Sequence, residues 1–157
     1  MTSDPLYQAV RRYVWRLLGD VGLADDVTQE VFLRRQKQKS IRNERAWAYR
    51  TARNLVIDYF RERACRGPTE VLTDFPDKST QFRPVHQAEQ KEQIKMLHDK
   101  LNDLSPRHRE AIRLKFQEDL TYAEIAKTIK EPTTTVAWLL RDAIEKLRKE
   151  LLSPQND

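Results

Sequence analysis

Four side chains in the first half of this 157-residue chain, Trp47, Arg50, Asn54 and Arg61, recur at spacings of 3, 4 and 7. On a helix those intervals fall along one stripe. An aromatic ring flanked by Arg and Asn on one face can stack on an unpaired base, bond its edge and neutralise nearby phosphate. A duplex reader has no need of such an aromatic, so single-stranded nucleic acid fits better. The same pattern also suits a core tryptophan beside solvated arginines, and spacing alone leaves both readings open.

A second segment, "TYAEIAKTIKEPTTTVAWLLRD" from Thr121 to Asp142, outlines a helix, a turn and a helix. In the second of these helices Val136, Leu140, Ala143 and Leu147 make the buried stripe, and Ile125, Ala126 and Ile129 make the facing one. Thr134, Thr135, Ala137, Trp138, Arg141, Asp142 and Glu145 are left pointing outward. The shape is that of a DNA reader, although such helix pairs also serve as packing units. Where Arg, Lys, Asn or Gln would reach base edges, the helix offers Ala137, Trp138 and Leu139.

Chemistry that makes or breaks bonds finds no support. No nucleophile–base pair, paired carboxylate site or phosphate-cradling glycine loop is present. His86, His98 and His108 lack ligand spacing, so neither a metal nor another cofactor is expected. Cys65 is the only cysteine, consistent with a reducing compartment. No apolar stretch reaches the roughly 18 residues of a membrane span, and the N-terminus lacks a signal-peptide profile, so a cytoplasmic protein is expected.

The elements that must position these residues are helical. Only three glycines occur, charged residues make up 34% and hydrophobic ones 39%, which favours an all-α chain with modest cores. The first helix is expected from Pro5 to Leu18, with Gly19 past its end. The second is expected from about Ala24 to Lys37, with Asp25 and Asp26 in its first turn, where the dipole favours negative charge. Asn43 caps a long helix from Glu44 to about Arg63. Residues 67–84 carry three Pro and no helical period, and helical spacing resumes near Val85 and runs to about Leu104. Ser105-Pro106 opens the next helix, Thr121 with Glu124 forms a capping box for Tyr122 to Ile129, and Thr133 starts the last, to about Leu151. The expected architecture is two small helical domains, 1–66 and 93–153, joined by an extended linker over 67–92.

The net charge is +5 and unevenly placed: residues 1–66 carry +6, residues 67–92 carry −2 and residues 93–157 carry +1. The block Arg34 to Arg66, with 11 basic and 3 acidic residues, points to a polyanion partner or to a solvated face.

The stretch "DDVTQEVFLRR", followed by "AWAYRTARNLVIDYFRER", closely resembles the promoter-melting domain of extracytoplasmic-function (ECF) sigma factors. "LSPRHREAIRLKFQEDLTYAEIAKTIKEPTTTV" is similar to their C-terminal helix-turn-helix domain. The match covers about three-quarters of the chain with both motif sets in order. It implies a factor that binds core RNA polymerase and directs promoter-specific transcription initiation by recognising and melting promoter DNA.

Residue by residue, the resemblance implies docking on the polymerase clamp helices through Asp25, Asp26, Gln29, Glu30 and Leu33. It implies capture of the melted non-template strand at the minus-ten element by Lys39, Arg42, Asn43, Trp47, Arg50, Arg53, Asn54 and Arg61. Contacts to duplex DNA at the minus-thirty-five element fall to Thr133, Thr134, Thr135, Trp138 and Arg141. An anti-sigma factor is a further implied partner, and the linker resembles the segment that relatives thread through the polymerase. Here Lys130 stands where the family's turn usually has Gly, and Ala137-Trp138-Leu139 replaces a basic triplet. Trp138 could therefore touch thymine methyls, anchor a protein partner or pack into its own core. Two rival functions remain: a polymerase-independent helix-turn-helix regulator, and a sigma-like interaction protein that does not use DNA.

Overall fold

The computed structural model describes residues 4–64 and 88–152, which form helices joined by short turns, with no strand among them. The expected linker lies largely outside the described residues.

The first helix, α1 (Pro5–Leu18), begins where Asp4 accepts the Leu6 amide at 2.9 Å and Pro5 supplies a first-turn residue with no donor to satisfy. It stops at Gly19, whose φ of 73° lets its N–H reach the Trp15 carbonyl at 2.7 Å. Between these signals Tyr7, Val10, Tyr13 and Val14 face inward.

The second helix, α2 (Val21–Gln36), starts three residues earlier than expected, because the Asp20 carboxylate caps the Leu23 amide at 3.0 Å. Its first turn holds no acidic residue, so Asp25 and Asp26 sit one turn further in and do not serve the helix dipole as expected. Ala24, Thr28, Val31 and Phe32 are buried, and the Thr28 hydroxyl donates to the Ala24 carbonyl at 2.6 Å.

Asn43 caps α3 (Glu44–Ala64), accepting the Ala46 amide at 3.0 Å. Ala48 and Ala52 on its inner side let the other two helices approach closely, while Tyr49, Val56 and Ile57 fill the centre. Tilted aromatic pairs tie the three together: the ring centroids of Tyr7 and Phe32 lie 5.1 Å apart, as do those of Tyr13 and Tyr49.

The second unit opens with α4 (Ala88–Asp103), then α5 (Pro106–Ile112), capped by Ser105 as expected. Helix α5 runs on into one π-helical turn, Arg113–Gln117, which the sequence reading did not anticipate. The chain then reverses at Asp119, with φ 57°. Helix α6 (Tyr122–Ile129) carries the reciprocal capping box of Thr121 and Glu124, and α7 (Thr133–Leu152) follows the turn. Leu114, Leu120, Ile125, Val136, Leu139, Leu140 and Ala143 close this core. The two units also pack on one another, chiefly through α3 against α6. No helix among the described residues is long and apolar enough to cross a membrane.

Candidate nucleic-acid and polymerase interfaces

Helix α3 presents the expected stripe unevenly. Arg50 and Arg61 are exposed, with Arg61 within 3.9 Å of Asp58, whereas Trp47 and Asn54 are half-buried. Trp47 packs against the core, so only part of its ring faces outward. Lys39 and Arg42 are exposed on the segment before the helix. Asn43 is half-buried and its side-chain oxygen is engaged by the cap, which leaves its amide nitrogen for other contacts.

Arg53 lies elsewhere. It is 7% exposed and donates from Nε and Nη2 to the two carboxylate oxygens of Glu110, at 2.8 and 3.1 Å. Burial works against its charge, but the facing Glu110 carboxylate more than offsets this and holds the guanidinium ionised. In this arrangement Arg53 is not on the open face with Arg50 and Arg61.

On α2, Asp26, Gln29 and Glu30 are exposed, and Leu33 is 52% exposed. Leu33 is an exposed apolar side chain on a face that is otherwise polar. Glu30 pairs with Arg34 one turn on at 3.0 Å, and Asp25 pairs with Arg11 of α1. Asp25 is therefore the least available of the expected docking residues.

In the second unit the turn between α6 and α7 is made by Lys130 at φ 61°, ψ 46°, the left-handed conformation that glycine adopts without strain. Thr133 and Thr134 are exposed at the start of α7, Thr135 is half-buried there, and Arg141 is exposed further along. The outward face is narrower than expected, because Leu139 is 1% exposed. Helix α7 packs against both α5 and α6, which widens its buried stripe to Val136, Leu139, Leu140 and Ala143. Ala137 and Trp138 alone remain of the outward triplet.

Trp138 is 52% exposed, and its inner edge rests against the His108 ring, 5.4 Å between centroids. His108 donates from Nε2 to Asp142 at 2.8 Å, and its Nδ1 meets the Ser105 hydroxyl. That hydrogen bond and the nearby Lys146 ammonium draw the Asp142 carboxyl below its usual value. The tryptophan is thus neither free nor absorbed into the core. It stands on the outer surface against a polar support.

Contacts between the units were not legible from spacing. Glu118 accepts from Tyr49 Oη at 2.9 Å and from Arg16 Nη1 at 2.6 Å. Arg45 donates to the carbonyls of Glu118 and Asp119, at 3.2 and 2.8 Å. Burial pushes the Glu118 carboxyl up, against the opposing pulls of Arg16 and Tyr49.

Residues 4–65 match the family model described as sigma-70 region 2, and residues 101–149 match sigma-70, region 4. The chain is 32% identical to the ECF RNA polymerase sigma factor SigL of Mycobacterium tuberculosis, over 89% of this chain and 81% of that protein. It is 29% identical to SigW of Bacillus subtilis, over 95% and 84%, and 28% identical to the ferric citrate uptake sigma factor FecI of Escherichia coli, over 92% and 88%. Its fold is similar to that of the sigma factor RpoE from Bartonella quintana, solved with the anti-sigma factor NepR. That likeness has a TM-score of 0.60 at 19% identity and covers 96% of this chain and 94% of that one. A region 2 unit and a region 4 unit in one chain favour an initiation factor over an isolated helix-turn-helix regulator, and they show that the chain belongs to the sigma-70 family as an ECF RNA polymerase sigma factor.

Proposed function

We propose that three separate surfaces divide the work of promoter-specific initiation. The outer face of α2, with Asp26, Gln29, Glu30 and Leu33, docks on core RNA polymerase; Asp25 stands beside them, tied to Arg11. Acidic groups on a domain of net positive charge meet a basic surface on the partner and steer its approach. Helix α3 and the segment before it hold the separated strand through Lys39, Arg42, Asn43, Arg50, Asn54 and Arg61, with Trp47 offering the exposed part of its ring. Arg53 joins them once it is released from Glu110. The start of α7, with Thr133, Thr134 and Thr135, meets upstream duplex phosphate through hydroxyls and amides, while Trp138 and Arg141 reach into the groove.

The observation that carries this reading is the pair of distinct exposed faces on the first unit. Helix α2 exposes Asp26, Gln29, Glu30 and the apolar Leu33, with Arg34 paired to Glu30, while α3 exposes Arg45, Arg50, Arg61 and Arg63 among Glu44, Asp58 and Glu62. Each surface is thereby free to engage a different partner at the same time. The chain forms no covalent bond in this scheme. It spends binding energy on a base taken out of the stack, at a cost of a few kcal/mol that a stacking and hydrogen-bonding site offsets. With promoter DNA and core polymerase as its partners, it acts in the bacterial cytoplasm.

In vitro transcription with bacterial core polymerase over a genomic promoter library tests this. Promoter-specific transcripts are expected with the native chain and their loss with Arg50→Glu/Arg61→Glu. Four phosphate contacts to a single strand give a salt slope of about −2.8, roughly 50-fold in affinity between 50 and 200 mM salt. Unchanged transcripts from the double variant would remove α3 from the scheme.

A further inference from the structure

On α7 two rows of side chains face opposite ways. Val136, Leu140, Ala143 and Leu147 repeat at 4, 3 and 4 on the core side, and Thr134, Trp138, Arg141 and Glu145 repeat at the same intervals two positions earlier. Two residues turn a helix through about 200°, so the second row points almost directly away from the core. All four of its members are exposed, and Trp138 is the largest of them. We propose that Trp138 is a specificity-determining residue, which reads pyrimidine C5-methyl groups in the major groove of the upstream duplex. The methyl can belong to thymine or to 5-methylcytosine. This deepens the reading of α7 as the duplex-binding helix and rests on it.

The N-terminal half of a reading helix is the part that meets base edges. In that half the outer face of α7 carries Thr134, Ala137 and Trp138, which hold one hydroxyl and one indole N–H among them. Neither group can make the bidentate pairs by which Arg selects guanine and Asn or Gln selects adenine. What the face offers in quantity is apolar surface. Base pairs show donors and acceptors in the major groove, and the distinctive apolar group there is the C5 methyl. Methyl groups are thus the features from which this helix gains most by excluding water.

The ring is also held in place before DNA arrives. Its inner edge rests on His108, 5.4 Å between centroids, and His108 is itself 7% exposed. His108 donates from Nε2 to Asp142 at 2.8 Å, and its Nδ1 meets the Ser105 hydroxyl. An aromatic fixed on one side gives up little rotamer freedom on binding, so more of its contact energy is left to discriminate between edges. Beside Ala137 the helix is open: Tyr122, Ala137, Arg141, Ile144, Glu145 and Arg148 line a hollow of about 620 Å³. Ala137 projects a single carbon into that space, which leaves room for a base-pair edge next to the ring.

The test uses the full chain assembled with core polymerase and a labelled duplex spanning the upstream element of a promoter recovered in the library assay. Three forms of that duplex are compared: unmodified, with deoxyuridine for every thymidine, and with 5-methylcytosine for every cytosine. Removing the thymine methyls is expected to weaken native binding by about fourfold for each methyl the ring covers. Methylated cytosine is expected to tighten it by a similar factor where a cytosine lies under the ring, so the two arms separate the sources of the methyl. Trp138→Ala should lose both responses, while Trp138→Phe, which keeps an apolar ring, should retain part of them. The comparison on the native chain needs no variant, so misfolding of either does not decide the outcome. Equal binding of all three duplexes by the native chain would overturn methyl reading and leave α7 a duplex-binding helix. A full response in Trp138→Ala would also overturn it, by assigning the discrimination to DNA shape or to another side chain. Native binding no tighter than to a scrambled duplex would overturn the reading of α7 itself and methyl reading with it.

Discussion

The side-chain oxygen of Asn43 accepts the backbone amide of Ala46 at 3.0 Å, which makes this residue the cap of α3 as well as a member of the proposed strand-binding segment. The two roles separate by substitution. Asn43→Ala loses the cap and should cost about 1 kcal/mol, a fall of roughly 2–4 °C in melting temperature for a chain of this size. Asn43→Asp keeps the cap but sets a negative charge where phosphate is expected. Its melting temperature should match the native chain while binding to forked promoter DNA falls several-fold. Equal binding by the native chain and Asn43→Asp would confine the residue to capping.

Lys130 holds a left-handed conformation at φ 61° in the turn of the helix-turn-helix. For a residue with a Cβ this costs about 1–2 kcal/mol, and glycine avoids most of that cost while adding some unfolded-state entropy. Lys130→Gly should therefore stabilise the chain by about 1 kcal/mol, seen as a melting temperature higher by roughly 2–4 °C. A lower melting temperature would mean that the lysine side chain has a stabilising contact that outweighs its backbone strain.

Gln29 and Glu30 are exposed on α2, and the Glu30–Arg34 pair is a surface contact worth only about 0.3–0.5 kcal/mol. Gln29→Ala/Glu30→Lys should leave thermal stability within about 0.5 kcal/mol of native. If α2 is the polymerase dock, affinity for core enzyme in a fluorescence anisotropy titration should fall by at least about tenfold, near 1.4 kcal/mol. Native affinity in that variant would move the docking surface elsewhere.

What the sequence made legible were signals closed within one or two turns. Pro5 and Gly19 bound α1, Thr121 with Glu124 starts α6, and Lys130 ends it, each through a local hydrogen bond or dihedral. Asp20 was harder to see as a cap because Val21 and Gly22 follow it, and neither favours a helix interior. Leu139 broke the expected stripe because α7 packs against two helices, so its buried face spans more than one row. The pairing of Arg53 with Glu110 joins residues 57 positions apart and leaves no periodic trace. Of the expected DNA residues Arg53 was placed correctly on α3, but which of its stripes meets the other unit depends on tertiary packing alone.

Trp138 gives the last prediction its two parts. The ring rests on His108, which is oriented by Asp142, so the aspartate supports the tryptophan through the histidine. The folded state holds the Asp142 carboxyl below its ordinary 3.8, chiefly through the His108 hydrogen bond. A depressed carboxyl contributes stability that is present in full above the unfolded value and is lost as pH falls through the folded one. The difference in melting temperature between the native chain and Asp142→Asn should accordingly shrink as pH falls below about 3.8. At neutral pH, Trp138→Ala should cost about 1–2 kcal/mol of stability, since half the ring is buried against its neighbours, and also weaken binding to upstream duplex promoter DNA. Asp142→Asn should weaken that binding less, by loosening the support and not removing the ring. If Trp138→Ala binds the duplex like the native chain, the tryptophan contributes no DNA contact, and its exposed edge belongs to a different partner.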